Sequence, residues 1–317
     1  MPALGSPALF GAESTTDDVL ADRDLTGLRV VVTGVSAGLG VETARALAAR
    51  GAAVTGVVRD PAKARTNLDA AGASGIDLVE ADLASLATVR AGADAVLASL
   101  PRIDLLIANA GIMACPQGTT ADGFELQFGT NHLGHFVLVN RLLPLLLAGS
   151  PARIVNLTSA GHRFGDVDLD DPGFERTPYD PWIAYGRAKT ANVLFSVELE
   201  RRLRERGVRA TAVHPGGILT ELGRHLTDES MQALREYRGA RTVTFKSVPQ
   251  GAATSVWAGV VADPSLVGGR YCEDCAVSPV IDDGTESPGV MRYALDPGSA
   301  ARLWARSEEL VGESFAP

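Results

Sequence analysis

The sequence predicts a single α/β domain built on a doubly wound, mainly parallel sheet with helices on both faces. Three observations predict it. Short apolar runs alternate with Ala- and Leu-rich helical segments along most of the 317 residues, the signature of repeated strand–helix crossovers. The apolar runs are continuous, as strands covered on both faces require. A glycine-rich turn, VVTGVSAGLG, follows the first run directly.

In chain order, strands are expected at 28–33 (LRVVVT), 52–58, 76–81, 103–109, 152–159 and 208–215, each run ending in polar or turn residues. Helices are expected near 39–50, 61–71, 84–99, 122–147 and 183–206, the last with Val193, Leu194, Val197 and Leu203 at helical spacing and Gly207 as its stop. Residues 1–25 read as a loosely anchored arm and 26–317 as the domain proper. Two irregular stretches interrupt the pattern: an insertion at 160–184, and a segment at 217–248 expected to form a small substrate lid.

Composition excludes several classes of partner. With 46% hydrophobic and 21% charged residues the chain reads as a soluble globular protein. A net charge of −9 argues against nucleic acid. No membrane association is expected: the longest apolar candidate, HFVLVNRLLPLLLAG, is broken by Asn140, Arg141 and Pro144. The N-terminus lacks the pattern of a signal peptide, and the three cysteines fit a reducing compartment, so the expected location is cytoplasmic. The CEDC at 272–275 has no second pair to complete a metal site and reads as two thiols at a strand end. His132 and His135 stand three apart without an accompanying carboxylate or cysteine set, so no metal is expected, and His214 reads as structural.

Two constellations carry chemistry. Gly34, Gly38 and Gly40 open a helix straight after the first strand, where a glycine backbone and free N–H groups receive a pyrophosphate; dinucleotide binding in a Rossmann-type sheet follows. In IAYGRAKTAN, Tyr185 and Lys189 share a helix face one turn apart. Only three of the 29 Lys and Arg residues are lysines (Lys63, Lys189, Lys246), so a compact ammonium beside a phenol is not the chain's habitual surface charge.

TGxxxGxG at 33–40, NAG at 109–111, Asn131 in TNHLGHF, Ser159 in NLTSAG and Tyr185-x-x-x-Lys189 stand in the order seen in short-chain dehydrogenases/reductases. From about residue 26 onward the chain resembles that family. NHLGHF, HRF (162–164), AVHPGG (212–217) and SVPQGAATSVW (247–257) point to its retinol-dehydrogenase-like branch, which includes the oxidoreductase domain of the WW-domain-containing oxidoreductase. The resemblance implies roles. Tyr185 exchanges a proton with the substrate oxygen, Lys189 lowers the phenol pKa and holds the nicotinamide ribose, Ser159 holds the substrate oxygen, and Asn131 relays protons through water. Ser36, Ala37 and Leu39 join the three glycines around the phosphates; Asp82 and Leu83 meet adenine; Asn109, Ala110 and Gly111 line the ribose; Pro215, Gly216, Ile218 and Thr220 lie at the carboxamide.

The second strand ends VVRD. Arg59, following a Val58 that carries no carboxylate, favours NADP(H), with NADPH preferred over NADH. The expected substrate is a carbonyl or alcohol that is bulky and largely apolar, lined by Met113, Phe164, Trp182, Leu222 and Met231. The alternatives are a catalytically silent cofactor-sensing or partner-binding protein and an NAD-dependent epimerase or dehydratase. Homodimer and monomer both stay open: the family pairs through helices near 122–147 and 183–206, a surface the insertion 160–184 is positioned to cover.

Overall fold

The computed structural model describes residues 10–238, 244–284 and 288–316. Its centre is an eight-stranded sheet formed by β1 (Arg29–Thr33), β2 (Ala53–Val58), β3 (Asp77–Glu80), β4 (Leu105–Ala108), β5 (Ala152–Leu157), β6 (Val208–Val213), β7 (Tyr271–Glu273) and β8 (Ala276–Val277). The spatial order is β8-β7-β6-β5-β4-β1-β2-β3. All pairings are parallel except β7 with β8. Strand order reverses between β1 and β4, and the crevice at such a switch point is where ligands bind.

The residues of β1 show why both faces are covered. Val31 joins a cluster with Leu106, Ile154, Phe136 and Phe195, whereas Val30 and Val32 join another with Leu47, Ile107 and Val256. Alternate side chains of one strand point to opposite faces, so a strand that is apolar at every position needs helices on both. One layer contains α1 (Gly38–Ala48) and α7 (Val248–Val256); the other contains α3 (Leu86–Ser99), α4 (Gly134–Arg141), α5 (Pro181–Leu203) and α8 (Pro297–Val311). The helix α2 (Pro61–Ala70) follows β2, and α6 (Asp228–Arg238) lies in the 217–248 segment.

Three expectations are corrected. The described part of the arm is docked: Val19, Leu20 and Leu25 are buried in the same cluster as Leu47 and Val256, Asp17 pairs with Arg45, and the short helix Thr16–Val19 begins with a Thr15–Asp18 capping box. Burying those side chains outweighs the usual fraying of a terminus. Residues 1–9 lie outside the described residues. The helix expected at 122–147 is instead a short turn at Leu126–Phe128, a π turn at Gly129–Leu133, α4 and a final piece at Leu143–Ala148. The Tyr helix starts at Pro181, because Asp180 accepts hydrogen bonds from the Trp182 and Ile183 amides and proline suits the first helical position. The faces of α4 and α5 are covered by two segments: the insertion 160–184 lies on α5, with the Arg187 guanidinium 4.4 Å over the Phe174 ring and Thr190 donating to the Gly165 carbonyl at 2.8 Å, and the chain's C-terminal end packs beside it. Trp304 meets Phe136 edge-on at 5.1 Å, Phe315 meets Phe136 at 5.6 Å, and the Arg202 guanidinium lies 4.1 Å over the Trp304 ring.

Candidate active site

The carboxyl ends of β1, β4 and β5 deliver the motifs to one edge. Thr33 closes β1, and its Oγ1 accepts the backbone N–H groups of Asn109 and Ala110, each at 2.9 Å. The Asn109 side-chain amide donates to the Thr33 carbonyl at 2.8 Å. The turn leaves no room for side chains: a Cβ on Gly34 (φ 76°) would stand 2.9 Å from Ala110, and one on Gly40 would collide with the Gly34 carbonyl. The Ser36 carbonyl accepts from the Asn67 side chain at 2.6 Å, which fixes the outer part of the loop. Leu39 is partly buried against the core, and its side chain and that of Ile218 both crowd Gly251 of α7.

Beside the loop lies a cavity of about 340 Å³ lined by Ala37, Gly38, Asn67, Thr220, Glu221 and Val248 among others. Thr220 sits over the loop, since a Cβ on Gly38 would stand 3.1 Å from its methyl group. Gly216, at φ 99°, lies against the Lys246 side chain, and Ile218 pairs with Lys246. Asp82 anchors the turn after β3 by accepting from the Ala84 amide at 3.0 Å, and Leu83 is buried in the core beside Gly134. Arg59 is exposed, with no hydrogen bond or ion pair among the described residues, next to a buried Val58. These features fit a dinucleotide: a glycine turn that any Cβ would obstruct, an adjoining cavity and an uncommitted guanidinium.

Tyr185, Lys189, Ser159 and Asn131 converge. Tyr185 is 3% exposed and its ring lies against Gly161, whose amide donates to the Ser159 side chain at 3.0 Å. Lys189 is buried, with its Nζ 5.7 Å from the Tyr185 ring centre and 3.3 Å from the Leu157 carbonyl that accepts its proton. Asn131 lies in the π turn and clasps the Ile112 backbone, accepting its N–H and donating to its C=O, both at 2.9 Å. Lys189 and Asn131 both face Gly111: a Cβ there would be 3.5 Å from Nζ and 3.1 Å from Asn131 Oδ1.

The electrostatics differ from the expectation in one respect. Burial pushes the Tyr185 phenol up to about 12, with the Ser159 hydroxyl acting in the opposite direction. Burial brings Lys189 down to about 8. The expected lowering of the phenol by Lys189 is not what this closed arrangement produces, because removing both groups from water favours the neutral form of each.

An apolar wall covers the phenol. Trp182, Tyr185, Ala114 and Leu234 form a buried cluster joined by Met113, Phe164, Leu226 and Met231. Trp182 anchors it, with Nε1 donating to the Ser230 carbonyl at 2.8 Å and its ring 5.5 Å from that of Phe164. Of the lining residues expected from sequence, Met113, Phe164, Trp182 and Met231 come together here and Leu222 does not. Among the described residues no group of three His, Cys, Asp or Glu side chains is placed to hold a metal ion, and His132 and His135 point to different partners, Ser307 and Thr33. Cys272 and Cys275 are buried free thiols, both raised by burial, to about 12 and about 11. Thr33, the Ile112 backbone, His135 and His162 were missed as site components. Only the i, i+4 spacing of Asn131 and His135 was a usable signal.

Comparison with known proteins agrees with this fold. The family described as short chain dehydrogenase matches residues 29–231. A "Probable oxidoreductase" of Streptomyces lividans is 46% identical over 289 residues, covering 89% of this chain and 96% of that protein. Mouse "Retinol dehydrogenase 14" is 39% identical over 300 residues, covering 90% of this chain and 86% of the relative. The crystal structure of an uncharacterized Mycobacterium paratuberculosis protein superposes with a TM-score of 0.74 at 36% identity, covering 96% of this chain and all of that one. The chain belongs to the short-chain dehydrogenase/reductase family. Within it, the chain falls in the retinol-dehydrogenase-like branch, and it is an oxidoreductase with the Rossmann-type fold.

Proposed function

We propose that the protein interconverts a carbonyl and an alcohol on a bulky, largely apolar small molecule, using NADP(H), with Tyr185 as the proton-exchanging group. The observation that carries the reading is the packing of the Tyr185 ring against the Ser159–Gly161 turn, beneath the apolar cluster of Trp182, Met113, Phe164 and Met231. When bound, the nicotinamide supplies or accepts the hydride. The chain's own residues do the rest. Ser159 offers a hydroxyl where negative charge develops on the substrate oxygen. Tyr185, protonated at neutral pH, holds the proton for that oxygen in the reductive direction. Lys189 supplies positive charge one helical turn away, and Asn131 stands next to it at Gly111.

The glycine loop and Thr220 are the residues to hold the pyrophosphate side, with Asp82 and Leu83 toward adenine, Asn109 to Gly111 at the ribose, and Pro215 to Thr220 at the carboxamide. Arg59 supports the phosphorylated cofactor, because a guanidinium without a partner among the described residues is available to a 2′-phosphate. The segment 217–248, of which residues 239–243 lie outside the described residues, acts as a substrate lid, supported by the Trp182–Ser230 bond that ties α6 over the phenol. The Trp304 and Phe315 cover on α4 and α5 favours a monomer over a homodimer. No helix among the described residues is long and apolar enough to cross a membrane; a cytoplasmic location is part of the proposal.

Absorbance at the nicotinamide band, followed with NADPH and NADH across a panel of apolar ketones, aldehydes and secondary alcohols, tests the reading. Turnover is expected with at least one member. Cofactor binding with no turnover across a broad panel would transfer the assignment to a cofactor-sensing protein.

A further inference from the structure

Two buried histidines outside the proton-exchanging set each touch the backbone of a member of it. His135 Nδ1 is 3.0 Å from the Asn131 carbonyl oxygen, and its Nε2 is 2.9 Å from Thr33 Oγ1. His162 Nδ1 is 2.7 Å from the Ser159 carbonyl oxygen, and its Nε2 is 3.0 Å from the Met291 amide nitrogen. Both rings are buried.

Counting protons fixes their chemistry. A hydroxyl has one proton and two lone pairs. Thr33 Oγ1 accepts the Asn109 and Ala110 N–H groups, so both lone pairs are used and its single O–H is left for His135. Nε2 of His135 therefore accepts and carries no proton. Its proton resides on Nδ1 and is donated to the Asn131 carbonyl. The same logic holds for His162 by a different route. The Met291 N–H is an obligatory donor, so Nε2 accepts it, and Nδ1–H goes to the Ser159 carbonyl. An imidazolium at either place would set an N–H against a group that has only a proton to offer.

We propose that His135 and His162 are positioning residues, neutral Nδ1–H tautomers that pin the backbone carbonyls of Asn131 and Ser159. The inference rests on the catalytic roles proposed for those two residues. His135 ties the π turn to β1 and, through Thr33, to the end of β4, so Asn131 is held at a fixed position beside Lys189. His162 ties the Ser159 turn to the chain near residue 291; its own carbonyl also accepts from the Tyr293 hydroxyl at 2.7 Å and the Thr190 hydroxyl at 3.1 Å. Burial holds both rings at about 4, in the neutral form this geometry needs. The ring nitrogens bond Thr33, Asn131, Ser159 and Met291 and not Tyr185, so each histidine acts through the residue it holds.

Long-range proton–nitrogen NMR on protein carrying nitrogen-15 histidine reads the tautomers directly, in the full chain and without turnover. At pH 7 both rings are expected as neutral Nδ1–H forms; an Nε2–H tautomer or a charged ring at either position overturns the proposal for that residue. Kinetics provide the second test. His135→Phe and His162→Phe are expected to lower kcat by about tenfold or more, because small displacements of a reacting group are costly, with cofactor affinity little changed. His135→Asn and His162→Asn, whose amide can replace Nδ1–H, are expected to recover part of the loss. Parallel losses in kcat, cofactor affinity and melting temperature, without rescue by Asn, would reduce both residues to ordinary packing. If a Phe variant fails to fold, the NMR result on the unaltered protein decides. Absence of any substrate would defeat the proposed function while leaving the tautomers measurable.

Discussion

The Lys189 ammonium lies 5.7 Å from the centre of the Tyr185 ring and bonds the Leu157 carbonyl, not the phenol. The two share a helix face, yet both are buried, and burial drives their proton affinities apart: the phenol up to about 12, the amine down to about 8. Tyr185→Phe is expected to keep cofactor binding and to lose roughly a hundredfold in turnover, the scale of a positioned proton donor. Steady-state kinetics with a substrate found in the panel checks this; near wild-type turnover removes Tyr185 from the chemistry.

Burial of Lys189 has a thermodynamic signature. Its pKa drops from 10.5 unfolded to about 8 folded, so between those pH values the unfolded chain binds a proton the folded one does not. Stability from this group therefore rises with pH across 8 to 10.5, by on the order of 3 kcal/mol at most. Lys189→Met is expected to melt higher than the parent at pH 7 and to show less of that rise. Denaturant unfolding at pH 7, 8, 9 and 10 measures it, and parallel curves for the two proteins would contradict the burial argument.

At acid pH the histidines dominate. His132, His135, His162 and His214 are held at about 3, 4, 4 and 3 by burial, against 6.5 for a free imidazole. The unfolded state takes up these protons first, so stability falls as pH drops from 6.5 toward 4, by up to about 1.4 kcal/mol per pH unit for each histidine. Melting temperature between pH 7 and 5 should show a steep decline. Replacing His132 by Phe should reduce the slope by about one proton.

Arg59→Ala should weaken NADPH by roughly ten- to a hundredfold, the worth of a charge-assisted hydrogen bond of about 1.5–3 kcal/mol, and leave NADH nearly unaffected. Titrations of both cofactors at one ionic strength decide, since salt screens phosphate contacts. Equal loss for both confines Arg59 to a role in the turn.

Trp304→Ala should destabilise the chain by about 3–5 kcal/mol, the usual cost of emptying a large aromatic site. It would also uncover Phe136 and Phe195. Sedimentation of the parent is expected to give a monomer, and the variant is expected to self-associate. A parent that already sediments as a dimer would contradict the covering role assigned to α8.

The sequence by itself determined six of the eight strands of the sheet and the motifs they carry; β7 and β8 are too short to show as apolar runs. Continuous apolar strands, a glycine turn after the first of them and a Tyr–Lys pair one helical turn apart are local patterns, and local patterns set which face an element buries and which edge a motif reaches. Most of the apolar residues around the phenol were legible for the same reason: Met113, Phe164, Trp182 and Met231 meet at Tyr185, and Leu222 does not. What only the tertiary structure decided are the contacts between residues far apart in the chain. Val19 and Leu20 bury against α1 and α7 although they look like part of a loose terminus. Trp304 covers Phe136 and Phe195 from the other end of the chain. The pKa of Tyr185 moved opposite to the expectation, because desolvation is set by everything packed around a group, whereas spacing along a helix reports only its neighbours. The tautomers of His135 and His162 have the same origin: each depends on a donor, Thr33 or Met291, brought in from more than a hundred residues away.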